Sequence, residues 1–420
     1  MSWQLAGAAS WSLLLLISYL ALPHLLRSRN TSRLNYRVSI VGIATLARLV
    51  PHLLVSAGTN FDIQSFNILG NLFINGEDIY SSPLVEGRHP YLPLMIYWIG
   101  LAQKISLSIG QPYELVYRLL PIAADVGICL LLFKLTKSRN IDVAFRCALL
   151  FAINPVSVFV SAYQGQFDSV IILFMLMAVS SVSYSAWKTG IWMGLAILAK
   201  SWPVLALPSI LTGFHSLQKK ILVLFLVLLI PSIGVVLYAF IFKSDIQVIL
   251  SNALSYNRGL GVWGYTYFLR LVWILKPELE FIFSWIVENG RFFTLFGLGI
   301  VWFWRARHET PAAGILTILV SFLALTHAFA IQYLVWLIPF AIIDDNNRWL
   351  NIYTVTAYFY MVLVYFSLIL TTSITRVMPL PQADWFIIMP AALPVWVVTI
   401  LWTLDCLKGG KSVVVSPASN

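Results

Sequence analysis

Residues 221–243 decide the fold, and they read ILVLFLVLLIPSIGVVLYAFIFK. No charged side chain precedes Lys243 in this run, which is long enough for the roughly 20 apolar residues that a helix needs to cross a bilayer. The whole chain follows the same composition, with 60% hydrophobic residues, 10% charged residues and a mean hydropathy of +0.84. A soluble domain needs about 25% charged residues to cover its water-facing surface. The sequence therefore predicts an all-α, polytopic integral membrane protein.

Similar apolar runs recur along the chain and predict roughly 11 to 13 transmembrane or re-entrant helices in a single domain over residues 1–411. The expected helices are 7–26, 37–57, 114–134, 141–162, 168–186, 190–199, 203–213, 221–243, 281–304, 311–327, 330–343, 350–372 and 385–406. Two of them, 190–199 and 203–213, are too short to span alone, so we expect them to tilt or to form a broken or re-entrant pair. The first run lacks a preceding basic region and is expected to be a retained helix. The tail at 412–420 is expected to be disordered.

The Lys and Arg residues predict the orientation of these helices. The net charge of +10 does not indicate nucleic acid, because the cations stand in short clusters between apolar runs. Sixteen of them fall on one set of loops: Arg27, Arg29, Arg33, Arg37, Lys134, Lys137, Arg139, Arg146, Lys188, Lys219, Lys220, Arg305, Arg307, Arg348, Lys408 and Lys411. Seven fall on the other set: Arg88, Lys104, Lys200, Arg258, Arg270, Lys276 and Arg376. The richer side is predicted to be cytoplasmic. The long loops at 58–113 and 244–280 are then external, with amphipathic helices and the functional site.

The first external loop contains a carboxylate just after a predicted span. Residues 58–67 read GTNFDIQSFN, so Asp62 follows the helix expected to end at residue 57. A carboxylate at this depth, reachable from outside, suits a general base that takes a proton from a hydroxyl group. The alternative is that Asp62 is the N-cap of a helix that begins near Ile63.

A second polar cluster separates two predicted spans, where residues 162–169 read AYQGQFDS. Gln164 and Gln166 carry amide groups that can hydrogen-bond a polar ligand at the mouth of a site. Asp168 stands where the next helix begins, so helix capping is the alternative role for its carboxylate.

Two cations lie in settings that suit an anionic ligand. Lys200 separates two short apolar segments, where a lysine is costly unless it reaches water or an anion, and lysine binds phosphate well. The alternative for Lys200 is a side chain that extends to the membrane surface. Arg258 lies in the glycine-rich segment NRGLGVWG at 257–264, which suits a phosphate group, a mobile lid or a plain turn.

Taken in order, these segments resemble the GT-C superfamily of glycosyltransferases that use polyprenyl-phosphate sugars. The nearer similarity is to the catalytic subunit of GPI mannosyltransferase I and to bacterial mannosyltransferases that use polyprenol-phosphate mannose. The segments that carry it are ARL at 47–49, FDIQSF at 61–66, GEDIY at 76–80, YLPL at 91–94, NP at 154–155, GQFDS at 165–169, KSWP at 200–203 and QYLVWLIP at 332–339.

The resemblance implies an inverting transferase that moves a hexose, with mannose expected, from a polyprenyl-phosphate donor to a lipid or glycan acceptor on the external or lumenal face. It implies that Asp62 is the catalytic base. The residues expected to bind donor or acceptor are Arg48, Gln64, Tyr91, Gln164, Gln166, Asp168, Lys200, Arg258 and Tyr333. The chain departs from the GPI enzyme at Gln64, which replaces the second acidic residue of an Asp-x-Asp pair. No metal cofactor is therefore expected, and the GPI precursor is disfavoured as the acceptor. Membrane lipids are the other expected partners.

A transporter or flippase of a lipid-linked sugar is the alternative function. Transporters often contain internal repeats and charged residues near the middle of the membrane. The chain shows no repeat, but Arg118 and Asp125 lie seven residues apart within one predicted span, and two interpretations stay open for them, a buried ion pair and a transport pathway. Eight acidic residues fall in the predicted external loops and four in the predicted cytoplasmic loops, which favours chemistry at the external surface.

Overall fold

The computed structural model describes residues 2–25, 35–54, 61–254, 260–364 and 389–409, and within these ranges the chain is α-helical with no strand. The α-helices are α1 (Ser2–Leu25), α2 (Tyr36–Leu54), α3 (Phe61–Ile74), α4 (Leu94–Ile109), α5 (Tyr113–Tyr117), α6 (Leu119–Thr136), α7 (Ile141–Ala152), α8 (Pro155–Val158), α9 (Asp168–Ser181), α10 (Ala186–Ala199), α11 (Leu207–Thr212), α12 (Leu217–Phe242), α13 (Ile246–Leu254), α14 (Gly264–Leu275), α15 (Glu280–Trp304), α16 (Pro311–Leu325), α17 (Ile338–Ile343), α18 (Asn347–Val364) and α19 (Met389–Leu407). Short 3-10 helices lie at Pro83–Val85, Trp202–Ala206, Pro277–Leu279, Ala306–His308 and Ile331–Val335, and a π-helix lies at Phe159–Gln164.

The prediction of an all-α, polytopic membrane protein is confirmed. Six described helical segments are long and apolar enough to cross a bilayer: Ala6–Pro23, Tyr36–Leu54, Tyr113–Thr136, Leu217–Phe242, Pro277–His308 and Met389–Leu407. Both long loops predicted to be external contain helices, with α3 and α4 in the first and α13 and α14 in the second. The predicted disordered tail lies outside the described residues.

The prediction of one unbroken helix over 141–162 is wrong. The chain bends by 45° between α7 and the segment Pro155–Gln164. Asn154 is extended at the break, and its side chain accepts hydrogen bonds from the backbone N–H groups of Val156 and Ser157. Pro155 then begins the next helix, where its missing N–H costs nothing. Because the apolar run continues through this break, the hydropathy of the sequence does not reveal the break.

The predicted break between the two short segments is present at Lys200. The first segment, α10, begins at Ala186 rather than at residue 190, because the Ser185 hydroxyl caps it by accepting from the Lys188 N–H. Lys200 is extended, and a 3-10 helix leads from Trp202 into α11.

Helix α10 packs closely on α12 through small residues. A Cβ at Gly190 would lie 2.8 Å from Leu226 Cβ, and one at Gly194 would lie 2.8 Å from Ile230 Cβ. Small residues four apart let two membrane helices approach at the distance that dispersion forces favour.

A buried ion pair joins α2, α6 and the break after α7. Arg48 Nε lies 2.6 Å from Asp125 Oδ2, and both side chains are fully buried. The Arg48 Nη1 group also donates to the Ala152 carbonyl, and Nη2 donates to Ser157 Oγ. The guanidinium therefore satisfies both a carboxylate and a carbonyl at the end of α7, as a low-dielectric interior requires.

Arg118 and Asp125, for which an ion pair was one of two interpretations, do not pair with each other. Arg118 Nη2 donates instead to the Tyr163 carbonyl at 3.0 Å. The Asp125 carboxylate meets an arginine from a neighbouring helix, which a count along one span does not reveal.

The helix ends fall at two levels of the bundle. Tyr36, which begins α2, donates to Asp142 at the start of α7, and Arg139 donates to the Ile343 carbonyl, so these loops share one level. The end of the π-helix and the start of α3 lie at the other level, where Gln164 donates to Asp62. The start of α9 follows the π-helix by a short turn, and its Asp168 bonds to Lys200 at the end of α10.

Candidate functional site

The turn from Gln164 to Phe167 sets the position of the site. Gly165 has a φ of +74°, a left-handed conformation that glycine adopts without steric cost. A Cβ at Gly165 would lie 2.6 Å from Ile63 Cδ1 and 3.1 Å from Arg118 Nε. The glycine thus lets the first turn of α3, which carries Asp62, rest directly against this turn.

Asp62 is joined to two glutamines from distant parts of the chain. Gln164 Nε2 lies 3.2 Å from Asp62 Oδ2 and 3.3 Å from Gln332 Oε1. Gln164 and Gln332 are buried, whereas Asp62 is half-buried. The amide network therefore orients a carboxylate that still reaches the surface of the protein.

Asp168 is the second carboxylate at this level, and its environment is different. Lys200 Nζ lies 3.1 and 3.0 Å from its two oxygens, and Trp336 Nε1 donates to Oδ1 at 2.6 Å. The side chain of Asp168 is fully buried. The alternative role as a helix cap is wrong, because Phe167 stands at the cap position and Asp168 bonds to side chains of other helices.

Aromatic rings enclose the ammonium group of Lys200. Its Nζ lies 4.8 Å from the centre of the Tyr91 ring, 5.4 Å from Phe167 and 6.0 Å from Trp336. Only 4% of Lys200 is exposed, so the alternative of a side chain that extends to the membrane surface is wrong. Cation–π attraction stabilises this arrangement by about 0.5–2 kcal/mol per contact.

Trp336 links the ion pair of Lys200 and Asp168 to Tyr333, another residue expected at the site. The Trp336 ring stacks on Trp202 with centres 4.1 Å apart and lies 4.2 Å from the Tyr333 ring. Tyr333 is buried in this stack. The stack fixes the ring whose N–H binds Asp168.

Arg88 approaches the first turn of α3 from the loop between α3 and α4. Its Nη1 donates to Ser65 Oγ at 3.0 Å, and its guanidinium carbon lies 4.6 Å from the centre of the Phe61 ring. Ser65 lies one turn beyond Asp62 on the same face of α3. No carboxylate in the described ranges lies within 4.0 Å of this guanidinium. The positive charge of Arg88 is half-exposed beside the first turn of α3, the turn that carries Asp62.

The remaining expected residues are distributed differently. Gln166 is buried, and neither its Oε1 atom nor the Ser169 hydroxyl has a hydrogen-bond partner among the described residues. Gln64 is exposed on α3. Arg48 belongs to the buried ion pair with Asp125. Arg258 lies outside the described residues.

Sequence reasoning missed Arg88, Gln332 and Trp336. Gln332 and Trp336 belong to the QYLVWLIP segment that carries the resemblance, so their position was marked although their contacts were not. Arg88 stands in a polar loop, where nothing in the sequence distinguishes it from a surface arginine. Its role emerges only because the loop folds back on α3.

The described part of the chain contains no group of three or more His, Cys, Asp or Glu side chains arranged to hold a metal ion. Comparison of the chain with protein-family models gives no match, and comparison with curated protein sequences gives none.

Proposed function

We propose that this protein is a membrane glycosyltransferase that moves a hexose, with mannose the first candidate, from a polyprenyl-phosphate donor to a hydroxyl group of a lipid or glycan. The observation that carries the proposal is the environment of Asp62. Its carboxylate is half-buried and accepts a hydrogen bond from Gln164. Arg88 contacts the same part of α3 through Ser65. The resemblance to the GT-C superfamily supplies the type of reaction.

The proposed step needs a base and a positioned anion. The acceptor hydroxyl oxygen forms a bond to the anomeric carbon as the bond from that carbon to the phosphate oxygen breaks. Asp62 takes the hydroxyl proton, and the electron pair of the broken bond leaves on the polyprenyl phosphate. Attack opposite the leaving group inverts the anomeric configuration. A general base of this kind contributes about 10²–10⁴-fold to the rate.

Arg88 is the cation that we assign to the donor phosphate. The sequence favoured Lys200 for that role, but Lys200 is bonded to both oxygens of Asp168 and enclosed by aromatic rings. Moving it to a donor would leave a buried carboxylate unpaired, which is costly. The Arg88 guanidinium is half-exposed, and it has N–H groups besides the one that donates to Ser65, which suit the contact with oxygen atoms that phosphate favours.

Lys200, Asp168 and Trp336 act as support in this proposal. Their network holds the start of α9 against the end of α10, and the Gln164–Phe167 turn precedes α9 directly. That turn carries the amide that orients Asp62. The pair is therefore a positioning element.

The experiment is a transfer assay on the purified protein in lipid nanodiscs. Radiolabelled mannose on a polyprenyl phosphate is supplied with a panel of lipid and glycan acceptors, and products are separated by chromatography. We expect a labelled acceptor of inverted configuration with wild-type protein and background with Asp62→Asn. If no acceptor is labelled while sealed proteoliposomes carry the intact donor across the bilayer, the transferase proposal fails in favour of a transporter.

A further inference from the structure

A small, half-open polar cavity of about 190 Å³ lies in the loop between α3 and α4. Its polar lining residues are Tyr80, Ser81, Ser82, Glu86, His89 and Asn252. Asn252 comes from α13, so both loops that were predicted to be external contribute to the cavity. The volume equals that of about six waters at ~30 Å³ each, which is close to the size of one monosaccharide ring.

His89 is the lining residue whose buried polar groups are not paired within the described part of the protein. Its side chain is 3% exposed, yet neither ring nitrogen has a hydrogen-bond partner within the described ranges. Buried polar groups of this kind are normally paired. Burial lowers the pKa of His89 to about 3, so the ring stays neutral at physiological pH. A neutral imidazole offers one donor and one acceptor, which is the pattern that a hydroxyl group complements.

The charge around the cavity disfavours an anionic ligand. None of its described lining residues is a lysine or an arginine, whereas Glu86 is a carboxylate. Asp78 lies just behind the wall and accepts a hydrogen bond from Ser81 Oγ at 2.5 Å. Hydroxyl groups can donate to such carboxylates, but phosphate or carboxylate ligands are repelled by them.

The cavity adjoins the candidate site through Tyr91, which contacts residues of both. Tyr80 OH donates to the Tyr91 carbonyl at 2.7 Å, and the His89 ring lies 5.3 Å from the Tyr91 ring. The Tyr91 ring in turn lies 4.8 Å from Lys200 Nζ. Arg88 reaches towards α3, whereas the next residue, His89, lines the cavity.

We infer that this cavity binds one neutral sugar ring of the acceptor, with His89 as its buried hydrogen-bonding group. The assignment to the acceptor rests on the proposed function. The binding itself does not, since a hydroxyl-rich ring is recognised here by the lining residues alone. A glycan acceptor is thereby favoured over an acceptor that is purely a lipid alcohol.

Protection of an introduced cysteine tests the inference without turnover. Ser82→Cys lines the cavity, and its matched control Ser251→Cys is exposed on α13 and does not. Each is treated with a small methanethiosulfonate reagent in the full-length protein, alone and with glucose, galactose, mannose or N-acetylglucosamine. We expect at least one sugar to slow the reaction of Ser82→Cys, about tenfold at a concentration of about ten times its Kd, by mass action. The reaction of Ser251→Cys should not change.

Further control measurements distinguish protection by a bound sugar from a solvent effect and from a loss of folding. Equimolar glycine betaine and the 6-phosphate of the protecting sugar should protect little. His89→Phe should abolish protection, whereas His89→Gln, which keeps a donor and an acceptor, should retain part of it with an unchanged melting temperature. If no sugar protects, if betaine protects equally, or if His89→Phe leaves protection intact in folded protein, the inference is overturned.

The two proposals fail separately. Protection should persist in Asp62→Asn, where the transferase proposal expects turnover to be lost. Sugar protection without any transfer by wild-type protein would refute the transferase alone. Transfer without sugar protection would refute the sugar cavity alone.

Discussion

Lys200 Nζ lies 3.1 and 3.0 Å from the two carboxylate oxygens of Asp168, and both side chains are buried at the break between α10 and α11. Trp336 donates to the same carboxylate, so its charge is met by an ammonium and an indole N–H. An ion pair so enclosed holds the end of α10 to the start of α9. The candidate site is thereby built on a fixed electrostatic contact, and Asp62 is its half-buried carboxylate.

Removal of the lysine tests this structural role. Lys200→Met should leave the Asp168 charge buried and unpaired, which costs about 3–5 kcal/mol, so the melting temperature in detergent should fall sharply. Adding Asp168→Asn should recover much of that loss, because the orphaned charge disappears. Lys104→Met, at an exposed lysine on α4, is the control and should change little. A stable Lys200→Met protein with a raised donor KM would instead assign Lys200 to the donor phosphate.

Arg88 should govern the affinity for the donor. Arg88→Ala removes a charge-assisted contact that stabilises by about 1.5–3 kcal/mol, so the donor KM should rise roughly ten- to a hundredfold. The acceptor KM should stay close to wild type. Arg88→Lys should restore part of the affinity, since it keeps the charge but loses the planar fork. Steady-state kinetics with varied donor measure this, and an unchanged donor KM in Arg88→Ala would contradict the assignment.

The uneven distribution of Lys and Arg predicts that Ser81 and Gln218 lie on opposite faces of the membrane. Both residues are exposed, Ser81 in the loop between α3 and α4 and Gln218 at the start of α12. In a background without Cys129, Cys147 and Cys406, a cysteine at each position is treated with an impermeant maleimide in sealed vesicles. One should react before permeabilisation and the other only afterwards. Equal reaction of both from one side would refute the orientation.

Burial of His89 should make stability depend on pH. Its pKa is lowered to about 3 in the folded protein, so between pH 6.5 and 3 the unfolded chain binds a proton that the folded chain does not. The stability that this group contributes is complete above pH 6.5 and falls with pH below it, by about 2 kcal/mol at pH 5. Asp344, whose pKa is raised to about 6, acts with the opposite sign because its folded form binds the extra proton.

Comparison with His89→Gln isolates the histidine, because Asp344 contributes equally to both proteins. Melting temperatures in detergent are measured at pH 7.5 and pH 5. The decrease on acidification should be larger for wild type than for the variant. An equal decrease in both proteins would mean that His89 is not held neutral by burial.

The sequence predicts those features of this fold that the bilayer itself dictates. A run such as residues 221–243 has one stable solution in lipid, so its helix could be predicted to within a few residues. The break at Asn154 could not, because the apolar run continues through it, although an Asn-Pro pair is typical of a turn. A lysine amid apolar residues indicates that the ammonium group has a partner. The surrounding sequence does not indicate which carboxylate of the chain lies near that lysine.

The same limit applies to the candidate site. Asp62 and Gln164 are each marked by polar residues next to predicted spans, but they are 102 residues apart and meet only because Gly165 allows a close turn. Local patterns thus predict which groups are available. Tertiary packing decides which of them touch.

Asp62→Asn separates a catalytic role from a structural one. The substitution nearly keeps the shape of the side chain and keeps an oxygen that can accept from Gln164, so the melting temperature should change little. The charge that accepts a proton is lost, so turnover should fall by about 10²–10⁴-fold. Donor and acceptor KM should stay close to wild type, because the step that suffers is proton removal. Asp245→Asn, at an exposed carboxylate just before α13 that accepts from the Gln247 N–H, is the matched control and should retain most activity. Asp62 lies inside the first turn of α3, so the alternative N-cap role is wrong. If Asp62 only held this turn against Gln164, asparagine would serve almost as well, and folded Asp62→Asn protein would transfer sugar at nearly the wild-type rate. That result would remove Asp62 as the base.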